Sequence, residues 1–191
     1  MLKNVRVGYA ITGSFCTIPQ VIPVIRDLVK EGCEIFPIVS EITATQDTRF
    51  TQSAELINLL EIMTGKKVIA TIKDAEPIGP NAMLDVLVVM PCTGNTLAKL
   101  AAAVTDTAVT MAVKAHLRND RPVVLGISTN DGLGGNLKNI GLLMNAKNIF
   151  FVPFRQDAPM SKKNSLIADF DLLKPTILQA MANNQYQPVI M

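Results

Sequence analysis

Short, almost wholly apolar runs rich in β-branched residues recur along this chain, each followed by a polar turn and a segment long enough for a helix. A strand with one wet face alternates apolar and polar residues, whereas a strand covered on both faces is apolar throughout. The runs at 5–11, 34–39, 86–90, 123–127 and 149–152 are of the second kind, and 67–72 is a weaker candidate. The spacing between them predicts helices over 18–30, 49–63, 95–117, about 135–144, and 166–184. In the third of these, Leu97, Leu100, Ala101, Val104, Ala108, Met111 and Ala112 recur at three- and four-residue intervals and make one stripe for packing on a sheet. The expected fold is α/β, a three-layer parallel sheet with helices on both faces, in a single domain over 1–191. Within it, 155–191 supplies a polar loop and a terminal helix. The stretch PFRQDAPMSKKNS, 153–165, carries two prolines and breaks the periodicity, so it reads as a loop able to serve as a lid.

Composition narrows the function. Hydrophobic residues make up 49% and charged residues 18%, against about 25% charged in an ordinary soluble domain, so burial in a homo-oligomer interface is expected. A formal net charge of +2 with no Lys/Arg cluster argues against nucleic acid. The longest apolar runs fall far short of the ~20 residues that cross a bilayer, and the opening MLKNVRVGYAITG reads as a first strand rather than a signal peptide. Three widely spaced cysteines, Cys16, Cys33 and Cys92, fit reduced thiols in a cytoplasm.

In an open parallel sheet, ligands bind outside the carboxyl ends of the strands, where unpaired helix-start amides attract anions. The first exit, Thr12-Gly13-Ser14-Phe15-Cys16-Thr17, combines a glycine with hydroxyls and reads either as a phosphate cradle or as ordinary helix capping. It is no Walker loop, because Ser14-Phe15 stand where Lys-Ser/Thr is needed, and G-x-G-x-x-G is absent. The second exit begins Ser40-Glu41-Ile42-Thr43, and the third is Pro91-Cys92-Thr93-Gly94-Asn95-Thr96, with Asn95 or Thr96 near the N-cap of the long helix. The fourth is Ser128-Thr129-Asn130-Asp131. Four exits rich in Ser, Thr, Asn and Gly suggest neutral donors around a bound cofactor more than an acid–base pair.

The lone histidine, His116, is expected to cap the far end of the long helix and face solvent, which leaves no ordinary zinc site and no Ser-His-Asp triad. Cys16 and Cys92 both lie at strand exits and could meet there, although free cysteine is usually a small core residue. No catalytic residue is assigned.

The stretch PCTGNTLAKLAAAVTD, 91–106, resembles the P-A-S/T-A-N-T-x-A-K-x-A signature of the homo-oligomeric flavin-containing cysteine decarboxylase superfamily. The resemblance covers roughly 3–155 and implies a flavodoxin- or Rossmann-like fold holding flavin mononucleotide (FMN). It assigns the cofactor to Thr12, Gly13, Ser14, Ser40, Thr43, Pro91, Thr93, Asn95, Thr96, Ser128 and Asn130. Asn130 keeps only the asparagine of the family's P-x-M-N motif, and Asn136 matches the asparagine opening the next helix. Two departures stand out: Pro77 falls where those decarboxylases carry an active-site histidine, and Thr129 replaces the methionine of P-x-M-N. Cysteinyl decarboxylation is therefore not expected.

Over its whole length the chain resembles, within this superfamily, the flavoprotein-like subunit of an oxidoreductase from spore-forming bacteria. That implies a small dicarboxylate substrate and a partner subunit carrying the nicotinamide cofactor NADP. Arg155, Lys162 and Lys163 are then candidates for steering a dianion or are plain solvated surface. The alternative is a non-catalytic partner that keeps the fold without the flavin chemistry.

Overall fold

The computed structural model describes residues 2–191. Five strands, β1 (Arg6–Ile11), β2 (Glu34–Val39), β3 (Val86–Cys92), β4 (Val123–Thr129) and β5 (Ile149–Phe151), pair in parallel in the order β2-β1-β3-β4-β5. All seven residues of β3 are buried, which a strand achieves only when both faces of its sheet are covered. These five strands lie where the apolar runs predict them.

Among the described residues the sheet is mixed, however, and has seven strands. β6 (Phe154–Gln156) and β7 (Leu166–Ala168) form an antiparallel hairpin, and β7 pairs with Ser128 and Thr129 at the carboxyl end of β4. The lid-like loop is thus the tip of a hairpin, and the predicted helix over 166–184 begins as a strand. The reason is local: β5 occupies β4 only as far as Leu125, so the upper edge of β4 is open, and Leu166-Ile167-Ala168 fills it. The 67–72 candidate shrinks to one bridge between Ile38 and Ile69.

Helix α1 (Ile18–Lys30) shows how sequence becomes packing. Ile18, Val21, Ile22, Ile25 and Leu28 fall on one face and are buried, each worth about 1.5–3 kcal/mol when removed from water. Pro19 sits in the first turn, where no amide partner is lost. Gly32, at φ +88°, then turns the chain into β2.

Two short helices, α2 (Glu41–Thr45) and α4 (Ile72–Ala75), flank α3 (Ser53–Thr64). The long helix expected over 95–117 is two, α5 (Gly94–Ala101) and α6 (Ala108–Leu117). Ala103 takes a left-handed φ of 56°, and a reciprocal capping box starts α6. In it the Thr107 hydroxyl accepts the Thr110 amide and the Thr110 hydroxyl accepts the Thr107 amide, each at 3.1 Å. Such local hydroxyl-to-backbone bonds compete with helix continuation and override the apolar stripe. The remaining helices are α7 (Leu137–Met144) and α8 (Leu173–Met181).

At the opposite end from the strand exits, Asp85 binds the guanidinium of Arg6 at 2.6 Å, with Arg121 at 3.5 Å, tying together the starts of β1, β3 and β4. His116 is buried rather than solvent-facing. Its Nε2 lies 3.1 Å from the Pro122 carbonyl, while its Nδ1 has no partner among the described residues. The C-terminal segment docks, with the Gln185 side chain bonding both the amide and the carbonyl of Phe151.

Candidate functional site

The carboxyl ends of β1 to β4 open into a cleft of two lobes, of about 450 and 830 Å³, which meet at Gly13, Thr93 and Asn95. The first lobe is bounded by three helix starts: Ser40 precedes α2, Thr93 precedes α5 and Thr107 precedes α6. Each helix start carries a partial positive charge from its aligned peptides, so three of them around one space favour an anion. The Thr93 hydroxyl accepts the Thr96 amide, which leaves the amides of Gly94 and Asn95 without a protein acceptor among the described residues. Lys99 and Glu41 also line this lobe, the Lys99 ammonium held 2.8 Å from Asp106.

The floor depends on Thr12. Its hydroxyl donates to the Pro91 carbonyl at 2.7 Å and accepts the Thr93 amide at 3.0 Å, joining the β1 exit to the β3 exit. A Cβ at Gly13 would come 3.1 Å from Ile42, so a side chain there would crowd the space between two exits. Thr43 and Pro91 do not line the cleft. Thr43 is buried behind Ser40, hydroxyl to hydroxyl at 2.8 Å, and Pro91 lies within β3.

In the second lobe Ser14, Thr17 and Ser128 form a triangle of hydroxyls, with edges of 3.0 Å (Ser14–Thr17), 2.9 Å (Ser14–Ser128) and 2.8 Å (Thr17–Ser128). Each hydroxyl has one proton, so a closed ring uses all three donors and leaves acceptor lone pairs over. Asn130 and Asp131 line the same lobe. The Thr129 hydroxyl donates to Asp131 at 2.6 Å and the Asn136 amide donates to the other carboxylate oxygen at 2.8 Å. Gly94 admits this network, since a Cβ at that position would lie within 2.6 Å of Asn136, Asp131 and Thr129 side-chain atoms.

Ser14, Ser40 and Asn95 therefore share one cleft, Ser40 in the first lobe, Ser14 in the second and Asn95 at the seam. Thr93, not Asn95 or Thr96, is the N-cap of α5. Lys99, Thr107, Thr17 and Asp131 line the cleft without having been singled out from the sequence. Lys99 and Thr107 lie inside what the sequence presents as a single helix, and Thr17 and Asp131 stand out there only as members of polar exits. Cys92 is fully buried, where burial pushes its thiol far above the usual range, whereas Cys16 is exposed at the second lobe, so the two do not form a pair.

Of Arg155, Lys162 and Lys163, only Lys162 lines the second lobe, and its ammonium binds Asp157 at 2.7 Å. Arg155 pairs with Asp169. The lobe thus presents two carboxylates, Asp131 and Asp157, against one ammonium. Pro77 lies in a turn whose neighbour Gly79 meets the end of α6 through Ala115 and Asn119, the end remote from the cleft. No cluster of three His, Cys, Asp or Glu suited to a metal occurs among the described residues, and none of their helices is long and apolar enough to cross a membrane.

A flavodoxin-like α/β sheet, with anion-attracting helix starts at its strand exits, agrees with the family assignment. The family described as Flavoprotein matches residues 1–164, and the chain belongs to it. More particularly, it is 50% identical over 189 residues to the B subunit of dipicolinate synthase from Bacillus subtilis (strain 168), covering 99% of this chain and 94% of that one. The crystal structure of the corresponding B subunit of dipicolinate synthase from Bacillus halodurans C superposes with a TM-score of 0.91 at 45% identity, over 100% of this chain and 97% of that one. The FMN-dependent cysteine decarboxylase SpaF shares the fold at a TM-score of 0.66 and 22% identity, over 96% and 98% of the two chains.

Proposed function

We propose that this chain is a B subunit of dipicolinate synthase that holds FMN across the two lobes. It would work in the cytoplasm of the mother cell of a sporulating bacterium, alongside the A subunit of the synthase, which would bind NADP. The observation that carries the reading is the convergence of the Ser40, Thr93 and Thr107 helix starts on one lobe that opens, through Gly13 and Asn95, into a larger one. The phosphate of FMN suits the first lobe, where Gly13, Ser40, Asn95, Thr96 and Lys99 offer donors and charge. Ser14, Ser128 and Asn130 would face the rest of the cofactor and the substrate. Thr12, Thr43, Pro91 and Thr93 would hold the exits in place. When bound, the flavin supplies a two-electron acceptor, and the protein supplies orientation.

The substrate in this reading is a hydroxylated tetrahydrodipicolinate, which loses water and two hydrogens to become dipicolinate. Because the second lobe has an excess of carboxylate, the positive charge that a dicarboxylate needs would come from the A subunit or from another copy of this chain. Self-association fits the exposed Ile42, on the first-lobe helix α2, and Ile62, on α3, 53% and 73% accessible.

A second reading, a partner subunit that keeps the fold but not the flavin chemistry, is favoured by the closed hydroxyl triangle. Ser14 and Ser128 have their protons engaged with each other and with Thr17. The visible spectrum of the purified chain, before and after adding FMN and removing excess, separates the two. Bound flavin supports the first reading, and a colourless protein after FMN addition supports the second.

A further inference from the structure

The titratable groups lining the second lobe are Cys16, Asp131, Asp157 and Lys162. Asp157 and Lys162 bind each other near the exposed hairpin tip, and Cys16 lies exposed at the edge. Asp131 differs, because its carboxylate is held from both sides by side chains of the β4 exit and of the start of α7. Asn139 Nδ2 donates to the side-chain oxygen Oδ1 of Asn136 at 2.8 Å, which leaves the Asn136 side-chain nitrogen turned toward Asp131. Gly94 lets this carboxylate sit against the first turn of α5. One donor per oxygen leaves each with a further lone pair, and no histidine lines the cleft.

We propose that Asp131 is the general base that removes water from the hydroxylated ring substrate, an inference that rests on the dipicolinate synthase reading. The carboxylate takes a proton from the ring carbon next to the one bearing the hydroxyl. The C–H electron pair becomes the new C=C bond, the C–O bond breaks, and the departing hydroxide receives the proton that Asp131 took. The net change is loss of one water, with no oxidant or reductant consumed. Thr129 and Asn136 are positioning residues: their hydrogen bonds hold the carboxylate aimed.

The test uses the chain in complex with its partner from the synthase and reads dipicolinate formation. Asp131→Asn is expected to keep FMN uptake and to lower product formation by about 100-fold or more. Thr129→Val removes the hydrogen bond that orients the carboxylate, so kcat is expected to fall about 10-fold while KM stays within about twofold. Product formation by Asp131→Asn within about threefold of the parent, outside the range of acid–base catalysis, overturns the proposal. An unchanged kcat in Thr129→Val does the same and decides the matter if Asp131→Asn does not fold. A parent pair that forms no dipicolinate overturns the synthase reading itself, which separates that failure from failure of the base.

Discussion

Ser14 and Ser128, 114 positions apart in the chain, place their hydroxyl oxygens 2.9 Å apart where the exits of β1 and β4 face each other. The bond closes the cleft floor across the whole width of β3. Ser128→Ala should therefore cost about 1 kcal/mol of stability. If the hydroxyls also serve the ligand, FMN affinity should fall by roughly 3- to 10-fold. Denaturant unfolding and FMN titration of the same variant read the two effects separately, and unchanged affinity would make the triangle purely architectural.

Gly94 is required by space. Gly94→Ala places a methyl 2.4 Å from the Asn136 amide nitrogen and 2.5 Å from Asp131 Oδ1. The expected cost is about 1–3 kcal/mol from overpacking. Because the clash is with named side chains, Gly94→Ala combined with Asp131→Ala should cost less than the sum of the two single changes. Thermal unfolding of the four proteins in that cycle gives the coupling directly, and simple additivity would show that the methyl is accommodated elsewhere.

Lys99 is the ammonium that lines the anion lobe. Lys99→Met keeps the aliphatic stem that packs along α5 and removes the charge. FMN binding should weaken by about 10-fold, the loss expected of one charge-assisted hydrogen bond. Riboflavin, which lacks the phosphate, should bind as before. Equal loss for both ligands would mean that the substitution disturbs the helix instead.

His116 links stability to pH. Burial, opposed by the bond to the Pro122 carbonyl, lowers its pKa to about 4, against about 6.5 in an unfolded chain. The unfolded state therefore binds the proton first as pH falls. The stabilising contribution is complete above pH 6.5 and is lost progressively between about 6.5 and 4, by about 3 kcal/mol in all. His116→Gln should flatten the stability profile in that window, as measured by urea midpoints at a series of pH values. An unaltered profile would mean that other groups dominate acid unfolding.

The strands and the exits were legible in the sequence because burial on both faces writes continuous apolar runs such as Val86 to Val89. The breaks were less so. The stripe from Leu97 to Ala112 is consistent with one helix, and the left-handed Ala103 together with the hydroxyl pair Thr107 and Thr110 divides it. The hairpin was missed because three-residue strands carry almost no pattern of their own, and β7 exists because the upper edge of β4 is open. Of the site, Ser40, Thr93 and Asn95 were readable as exit residues. Asp131 gains its meaning only from Thr129, Asn136 and Gly94, which the fold brings together. The inward position of His116 was likewise set by the carbonyl of Pro122 in the following turn.

The most direct test is a spectroscopic titration of the purified chain with FMN and, in parallel, riboflavin. With three helix starts and Lys99 around the first lobe, FMN should bind at one site per chain and at least ~10-fold tighter than riboflavin, the difference reporting charge-assisted bonds to the phosphate. Equal affinity for the two flavins, or binding of neither, would contradict the account.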